Sequence, residues 1–157
     1  MTPDILILRD PRESAKKCSL TPLRGCEGVQ FVNHKGGLVL ETAGRFLLHH
    51  EGEELSPADA DLGILLVDSS WRRLPTLLRS LDGDPPRRRL PALKTAYPRK
   101  SSVFEDPDAG LASIEALFAA TCLLGRPQLD LLDDYRWREA FLDLNRRLLG
   151  LESGASE

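Results

Sequence analysis

The chain has few cysteines and no long apolar run among its 157 residues. Its three cysteines, Cys18, Cys26 and Cys122, form an odd and sparse set, which argues against a disulfide framework and indicates a reducing compartment. The segment from Met1 to Arg9 lacks the basic region and apolar stretch of a signal peptide, and no run approaches the length of a membrane span. We therefore expect a soluble, cytoplasmic protein.

The sequence also lacks the short motifs of several common enzyme classes. It has no glycine-rich nucleotide loop, no nucleophile elbow and no paired-histidine metal motif. Cys18, Cys26, His34, His49 and His50 could in principle gather a metal ion. Their spacing matches no zinc pattern, so we expect no metal site.

Charge is distributed unevenly, although the net charge is only −3. Between Trp71 and Lys100, nine basic residues stand against two acids, a local balance of +7. Such a local excess matters more for phosphate binding than the net charge of the chain. An arginine-rich loop can equally be solvated surface, and charge alone does not separate the two interpretations.

The hydrophobic pattern predicts an α/β fold in the amino-terminal half. Strands are expected near residues 4–8, 29–32, 38–40, 46–48 and 64–67. The last of these is continuously apolar, which indicates a strand covered on both faces, as in a parallel sheet. Ser56 and Pro57 are typical of the cap and first residue of a helical turn.

Helical periodicity dominates after Asp68. One amphipathic helix is predicted from Trp71 to Leu81, with Trp71 on its apolar face. A second should end at Gly125, and a third, long one should carry the apolar residues between Leu129 and Leu148. We expect an α/β domain over residues 1–93, an all-α domain over 94–150 and a frayed tail over 151–157.

The most informative segment is Val67-Asp68-Ser69-Ser70-Trp71, where a strand gives way to a helix. In open α/β sheets ligands bind at the carboxyl ends of the strands. Asp68 could act there as a general base, or it could cap the helix that follows, a task that Ser69 and Ser70 can also perform. Trp71 could stack on a ring, although at the start of an amphipathic helix it is more often core. Ser113, on a first helical turn, could meet a ligand or simply be exposed.

Several short blocks follow one another in a fixed order along nearly the whole chain. They are Asp10-Pro11 with Lys16-Lys17-Cys18-Ser19, then Leu55-Ser56-Pro57-Ala58-Asp59, Asp68-Ser69-Ser70-Trp71, Arg88-Arg89-Leu90-Pro91-Ala92-Leu93, Leu111-Ala112-Ser113-Ile114-Glu115-Ala116, and residues 135–145, which include Trp137, Phe141 and Asn145. Together they resemble the 18S ribosomal RNA aminocarboxypropyltransferases of small-subunit maturation.

The resemblance implies a fold like that of the SPOUT methyltransferases, with a trefoil knot that the helical part completes around a cofactor pocket. It implies a monomer that transfers the 3-amino-3-carboxypropyl group of S-adenosylmethionine to a modified uridine of ribosomal RNA. Carried over by position, the cofactor contacts fall on Ser19, Val67, Leu90, Leu93 and Ser113. Since a ring N–H must lose its proton in this reaction, Asp68 is our candidate catalytic base. The basic residues expected to contact RNA are Lys16, Lys17, Arg72, Arg87, Arg88 and Arg89.

The chain also departs from the family pattern. Residues 95–102, Thr-Ala-Tyr-Pro-Arg-Lys-Ser-Ser, replace Ala-Ala-Asn-Pro-Val-Asn-Tyr-Gly, Ser69 replaces a cysteine, and Arg138 replaces a glycine. A methyltransferase on the same scaffold and a non-catalytic RNA- or ribosome-binding factor therefore stay as alternatives.

Overall fold

The computed structural model describes residues 5–12, 20–96 and 111–151. Seven strands lie in these ranges: β1 (Ile5–Arg9), β2 (Val29–Asn33), β3 (Leu40–Glu41), β4 (Arg45–Glu54), β5 (Gly63–Asp68), β6 (Leu81–Asp82) and β7 (Arg87–Arg89). Five of them form one sheet in the order β2-β1-β5-β4-β7, and β3 pairs with β6 separately. The pairings in the larger sheet are parallel, which confirms the predicted α/β class with a mostly parallel sheet.

Three α-helices accompany the sheet: α1 (Leu74–Leu78), α2 (Ser113–Leu123) and α3 (Arg138–Asn145). Short 3₁₀ helices occupy Thr21–Leu23, Pro57–Asp59 and Leu129–Leu132. Ser56 caps the second of these as predicted, because its Oγ accepts the backbone N–H of Ala58 at 3.2 Å. Within the described ranges no helix combines the length and the apolarity that a membrane crossing needs.

Both faces of the sheet are covered by apolar side chains. Along β1, Ile5 and Ile7 join the larger core cluster, whereas Leu6 joins a smaller cluster on the other face. This alternation follows from the two-residue period of a strand, and it explains why the central strands are continuously apolar. The larger cluster continues through α2 and α3, where the rings of Phe118 and Phe141 meet edge to face at 6.4 Å. The predicted parts 1–93 and 94–150 thus contribute to one core.

Two helix predictions are wrong in length. The helix expected from Trp71 to Leu81 is limited to Leu74–Leu78, and Trp71 is 68% exposed instead of being part of the core. Ser80 donates its hydroxyl to the carbonyl of Leu77 at 2.6 Å, and the chain then enters β6. A helix ends readily where such a side chain competes for its carbonyl groups.

The predicted long helix from Leu129 to Leu148 is also divided. It consists of the 3₁₀ helix Leu129–Leu132, a turn and the eight residues of α3. Leu144 and Leu148 are exposed, although the periodic pattern assigned them to an apolar face.

A close backbone approach marks the pairing of β4 with β7. Leu48 and Glu53 both pair with Arg88, so residues 49–52 leave the ladder and return to it. At the return, a Cβ atom on Gly52 would overlap the backbone carbonyl group of Arg87. Glycine is required there because the two backbones leave no room for a side chain.

We expect Gly52→Ala to lower the free energy of unfolding by about 1–3 kcal/mol, the usual cost of forcing extra atoms into a packed site. Urea unfolding of both proteins measures the difference. Gly36→Ala is the matched control, since Gly36 lies in an exposed turn outside the left-handed region with no heavy atom within 4 Å of its added Cβ. Equal losses in the two variants would contradict the assignment.

Candidate functional site

The order of the strands reverses between β1 and β5. From β1 the chain continues to β2 on one side, and from β5 it continues to β7 on the other. The last residues of these neighbouring strands, Arg9 and Asp68, are partners in register. Carboxyl ends of strands at such a reversal form the usual ligand crevice of an open α/β sheet. Asp68 therefore lies at the edge of the sheet where the sequence predicted it.

The Asp68 carboxylate is held from two directions. Nε of Arg9 lies 3.5 Å from Oδ2, and the hydroxyl of Ser113 donates to Oδ1 at 3.3 Å. Asp68 is only 8% exposed, and Arg9 is buried beside it. A buried carboxylate is costly unless it is paired and hydrogen-bonded, and the guanidinium offsets its charge. The structure thus joins two predicted site residues, Asp68 and Ser113, and adds Arg9.

Ser70 supplies the side-chain acceptor at the turn after β5. Its Oγ and its carbonyl oxygen accept the backbone N–H of Arg73 at 3.3 and 3.0 Å. The carboxylate of Asp68 instead meets Arg9 and Ser113. Trp71 lies three residues after Asp68 and before α1, which begins only at Leu74, and its indole is accessible.

A second ion pair fixes the same turn to β1. The fully buried Asp10 accepts Nε of Arg73 at 3.1 Å and the backbone N–H of Arg12 at 3.0 Å. Burial alone would raise the pKa of Asp10, but these two donors outweigh it and bring the pKa below its ordinary value. Sequence reasoning did not assign these roles to Asp10 and Arg73, although Asp10 stands in one of the blocks that carry the resemblance.

The apolar candidates for cofactor binding lie in two places. Leu90 and Leu93 follow β7 and pack, half-buried, against the larger core cluster. Val67 packs against the smaller cluster on the other face of the sheet. Ser19, Lys16 and Lys17 lie outside the described residues.

Residues 90–96, which we name the connector, are held by two polar side chains to which sequence reasoning assigned no role, although both stand in blocks that carry the resemblance. Glu115 of α2 accepts the hydroxyl of Thr95 at 2.6 Å and the backbone N–H of Ala96 at 2.9 Å. Asn145 of α3 accepts the N–H of Lys94 at 2.8 Å and donates to its carbonyl at 2.7 Å. The signal that could have found them is a lone acid and a lone amide inside apolar helical patterns.

The three arginines of β7 that were expected to contact RNA each face an acid. The pairs are Arg87 with Glu51 at 3.6 Å, Arg88 with Asp59 at 3.1 Å, and Arg89 with Glu54 at 3.5 Å. Charge counting missed this, because the acids come from β4 and the following turn, far away in sequence. Arg72, in contrast, is exposed and forms no ion pair with another described residue.

Two further groups of reactive side chains have structural explanations. Ligand atoms of His49, His50 and Glu51 lie within 4.8 Å of one another. Nδ1 of His49, however, accepts the backbone N–H of Glu51, whose carboxylate pairs with Arg87, so His49 and Glu51 are engaged within β4 and β7. Burial raises the pKa of Cys122 to about 12, which keeps its thiol protonated and unreactive.

The Asp10–Arg73 pair predicts a pH dependence of stability. Because the pKa of Asp10 is lower in the folded protein, the pair stabilises the fold at neutral pH and loses this effect as the pH falls through the folded value. The difference in unfolding free energy between the wild type and Asp10→Asn should therefore be largest near neutral pH and shrink below about pH 4. Urea unfolding across this range checks it, and a difference that does not vary with pH would count against the pair.

Comparison with known proteins agrees with the resemblance. A family model described as "Ribosome biogenesis protein, C-terminal" matches residues 39–156. The chain is 33% identical over 109 residues to a 16S rRNA aminocarboxypropyltransferase of Halobacterium salinarum, a match that covers 68% of this chain and 62% of that relative. The solved structure of the SAM-dependent rRNA:acp-transferase Tsr3 from Vulcanisaeta distributa matches with a TM-score of 0.70 and 26% identity, over 96% of this chain and 82% of that one.

The chain thus spans a little under two thirds of the curated relative's length and most of the solved one. The family model covers well over half of this chain, including every described strand from β3 onward and all three helices. The protein therefore belongs to the ribosome biogenesis protein family that the C-terminal model describes.

Proposed function

We propose that this protein transfers the 3-amino-3-carboxypropyl group of S-adenosylmethionine to a uridine of ribosomal RNA. One observation carries the proposal: a buried carboxylate, Asp68, stands at the strand-order reversal and is oriented by Arg9 and Ser113. The names of the two relatives support the choice of reaction, since both are described as ribosomal RNA aminocarboxypropyltransferases.

The described residues suit such a donor. S-adenosylmethionine combines a charged amino-acid arm, a cationic sulfur with its methyl group, and an adenosine whose aromatic base suits apolar surface. Asp68 and Ser113 offer a carboxylate and a hydroxyl at the crevice, and Leu90 and Leu93 offer half-buried apolar surface at the end of β7. We propose Ser113, Leu90 and Leu93, together with Val67 and Ser19, as the donor-binding set. The bound donor supplies an electrophilic carbon next to a sulfonium, which becomes a neutral thioether when the carbon is transferred.

The chain's own residues then have defined tasks. A ring N–H of uridine must lose its proton when the nitrogen forms a bond to carbon, and a carboxylate oxygen of Asp68 accepts that proton. Arg9 and Ser113 keep the carboxylate in one orientation, which favours reaction because the acceptor is already in place. The accessible indole of Trp71 offers a face on which a base can stack.

The proposal includes finer features that the resemblance implies. These are a SPOUT-type trefoil knot, a helical domain over residues 94–150, small-subunit ribosomal RNA as the target, a monomeric state and a cytoplasmic location. The relative named for 16S rRNA supports the small subunit. The pairing of Asp68 with Ser113 supports a working active site over a factor that only binds RNA.

Mass spectrometry of ribosomal RNA, after incubation with the protein and S-adenosylmethionine, tests the reaction. The proposal predicts a nucleoside that has gained the aminocarboxypropyl group. A methylated nucleoside would favour a methyltransferase on this scaffold, and RNA without any adduct would favour a binding factor.

Asp68→Asn should slow transfer by about 10²- to 10⁴-fold, the usual contribution of a general base. Its donor affinity, measured by calorimetry, should change much less, because the amide has the same shape. Asp61→Asn is the matched control, since Asp61 is exposed at the amino end of β5, away from the carboxyl edge. Unchanged turnover in Asp68→Asn would remove Asp68 as the base.

The arginines predicted to contact RNA should separate into two classes. In a plot of the logarithm of RNA affinity against the logarithm of salt concentration, Arg72→Ala should make the slope shallower by about 0.7–0.9. This is the change expected for the loss of one phosphate contact. Arg88→Ala should instead lower the free energy of unfolding by about 1–3 kcal/mol, because it leaves the buried Asp59 without its cation. Filter binding at several salt concentrations and urea unfolding measure the two effects.

The reverse pattern would contradict this division. If Arg88→Ala made RNA affinity less dependent on salt and left the free energy of unfolding unchanged, β7 would contact RNA directly. An unaltered salt slope in Arg72→Ala would show that this side chain is only solvated surface.

A further inference from the structure

We propose that Glu115 and Asn145 are positioning residues that hold the connector in place as one wall of the donor site. The inference rests on the proposed function, because it concerns the same site. Both side chains act through the connector, which carries Leu93 and follows directly from β7.

Glu115 is a carboxylate with 0% exposure whose four hydrogen bonds come from three segments. Oε1 accepts the hydroxyl of Thr95 at 2.6 Å and the N–H of Ala112 at 2.9 Å. Oε2 accepts the N–H of Ala96 at 2.9 Å and the hydroxyl of Tyr135 at 2.8 Å. A carboxylate is costly to bury, so this arrangement requires that all four donors stay in position.

Asn145 acts on the neighbouring residue of the connector. It pairs with both backbone groups of Lys94 as a strand would, and its Nδ2 also donates to the carbonyl of Phe141 at 3.1 Å. At the start of the connector, the carbonyl of Arg89 accepts the N–H of Leu55 at 2.9 Å. The connector is thus fixed at its beginning and, by two helices, near its end.

The first turn of α2 couples the connector to Asp68. Ser113 and Glu115 belong to this turn, and Ser113 donates to Asp68 while Glu115 binds Thr95 and Ala96. A movement of the connector therefore shifts the helix that orients the Asp68 carboxylate. A site held in advance of binding loses less freedom when its ligand arrives, so these contacts should raise donor affinity.

Two variants that each affect Oε2 separate positioning from simple stability. Glu115→Gln can keep the acceptor on Oε1, but its amide nitrogen cannot accept the N–H of Ala96, so the connector loses its bond at Ala96. Tyr135→Phe removes a donor from the same oxygen and leaves the bonds to Thr95 and Ala96 intact. The measurements are melting temperature, amide hydrogen exchange at Lys94 and Ala96 by NMR, and the Kd for S-adenosylmethionine by calorimetry.

We expect Glu115→Gln to speed exchange of the Ala96 amide and to raise the donor Kd, each by about tenfold or more. Tyr135→Phe should leave the Ala96 exchange rate and the donor Kd within about twofold of the wild type, because the bonds that hold the connector remain. This should hold even if its melting temperature falls as far as that of Glu115→Gln. Asn145→Asp, which cannot donate to the Lys94 carbonyl when ionised, should act like Glu115→Gln.

A donor Kd that follows the melting temperature across all three variants would overturn the proposal, because stability alone would then explain it. If Glu115→Gln fails to fold, Thr95→Val replaces it in the same measurements. This variant removes one bond to the connector and keeps the buried carboxylate hydrogen-bonded. If calorimetry shows no binding of S-adenosylmethionine to the wild type, the proposed function fails. The exchange rates still decide whether Glu115 and Asn145 hold the connector. An Ala96 amide that exchanges freely in the wild type would show that they do not.

Discussion

A carboxylate taken out of water is stable only where donors surround it, and three such carboxylates tie the carboxyl edge of this sheet together. Asp10 meets Arg73, Asp68 meets Arg9 and Ser113, and Glu115 meets four donors. Each cluster joins segments that are far apart in sequence. The cost of burying these charges is met only when strand ends, turn and helix stand in one arrangement.

This arrangement has a functional consequence. The Arg9 guanidinium that pairs with Asp68 is buried, whereas the indole of Trp71, three residues further along the chain, is exposed. A fixed polar centre and an accessible aromatic side chain in the turn that follows it suit the proposed reaction, in which a small donor binds before a large partner, RNA. The parallel sheet provides the frame, because β1 and β5 end at the same edge and in register.

Much of the frame was predictable from the sequence, because continuous apolar runs such as Ile64–Val67 mark buried parallel strands, and Asp68 follows directly from one of them. Helix lengths were less predictable. Trp71 and Leu81 fit a helical period, but the turn at Ser70 and the hydroxyl of Ser80 confine the helix between them. The ion pairs of β7 and the hold of Glu115 on the connector depend on residues distant in sequence, and a local pattern carries no information about them.

The central claim is that the crevice at the ends of β1 and β5 binds S-adenosylmethionine with its amino-acid arm toward the reacting base. A crystal structure of the protein with this donor tests the claim most directly. The account predicts the donor at the carboxyl edge, with the aminocarboxypropyl arm nearer to Asp68 than the methyl group. A donor bound elsewhere, or one whose methyl group faces Asp68, would contradict it.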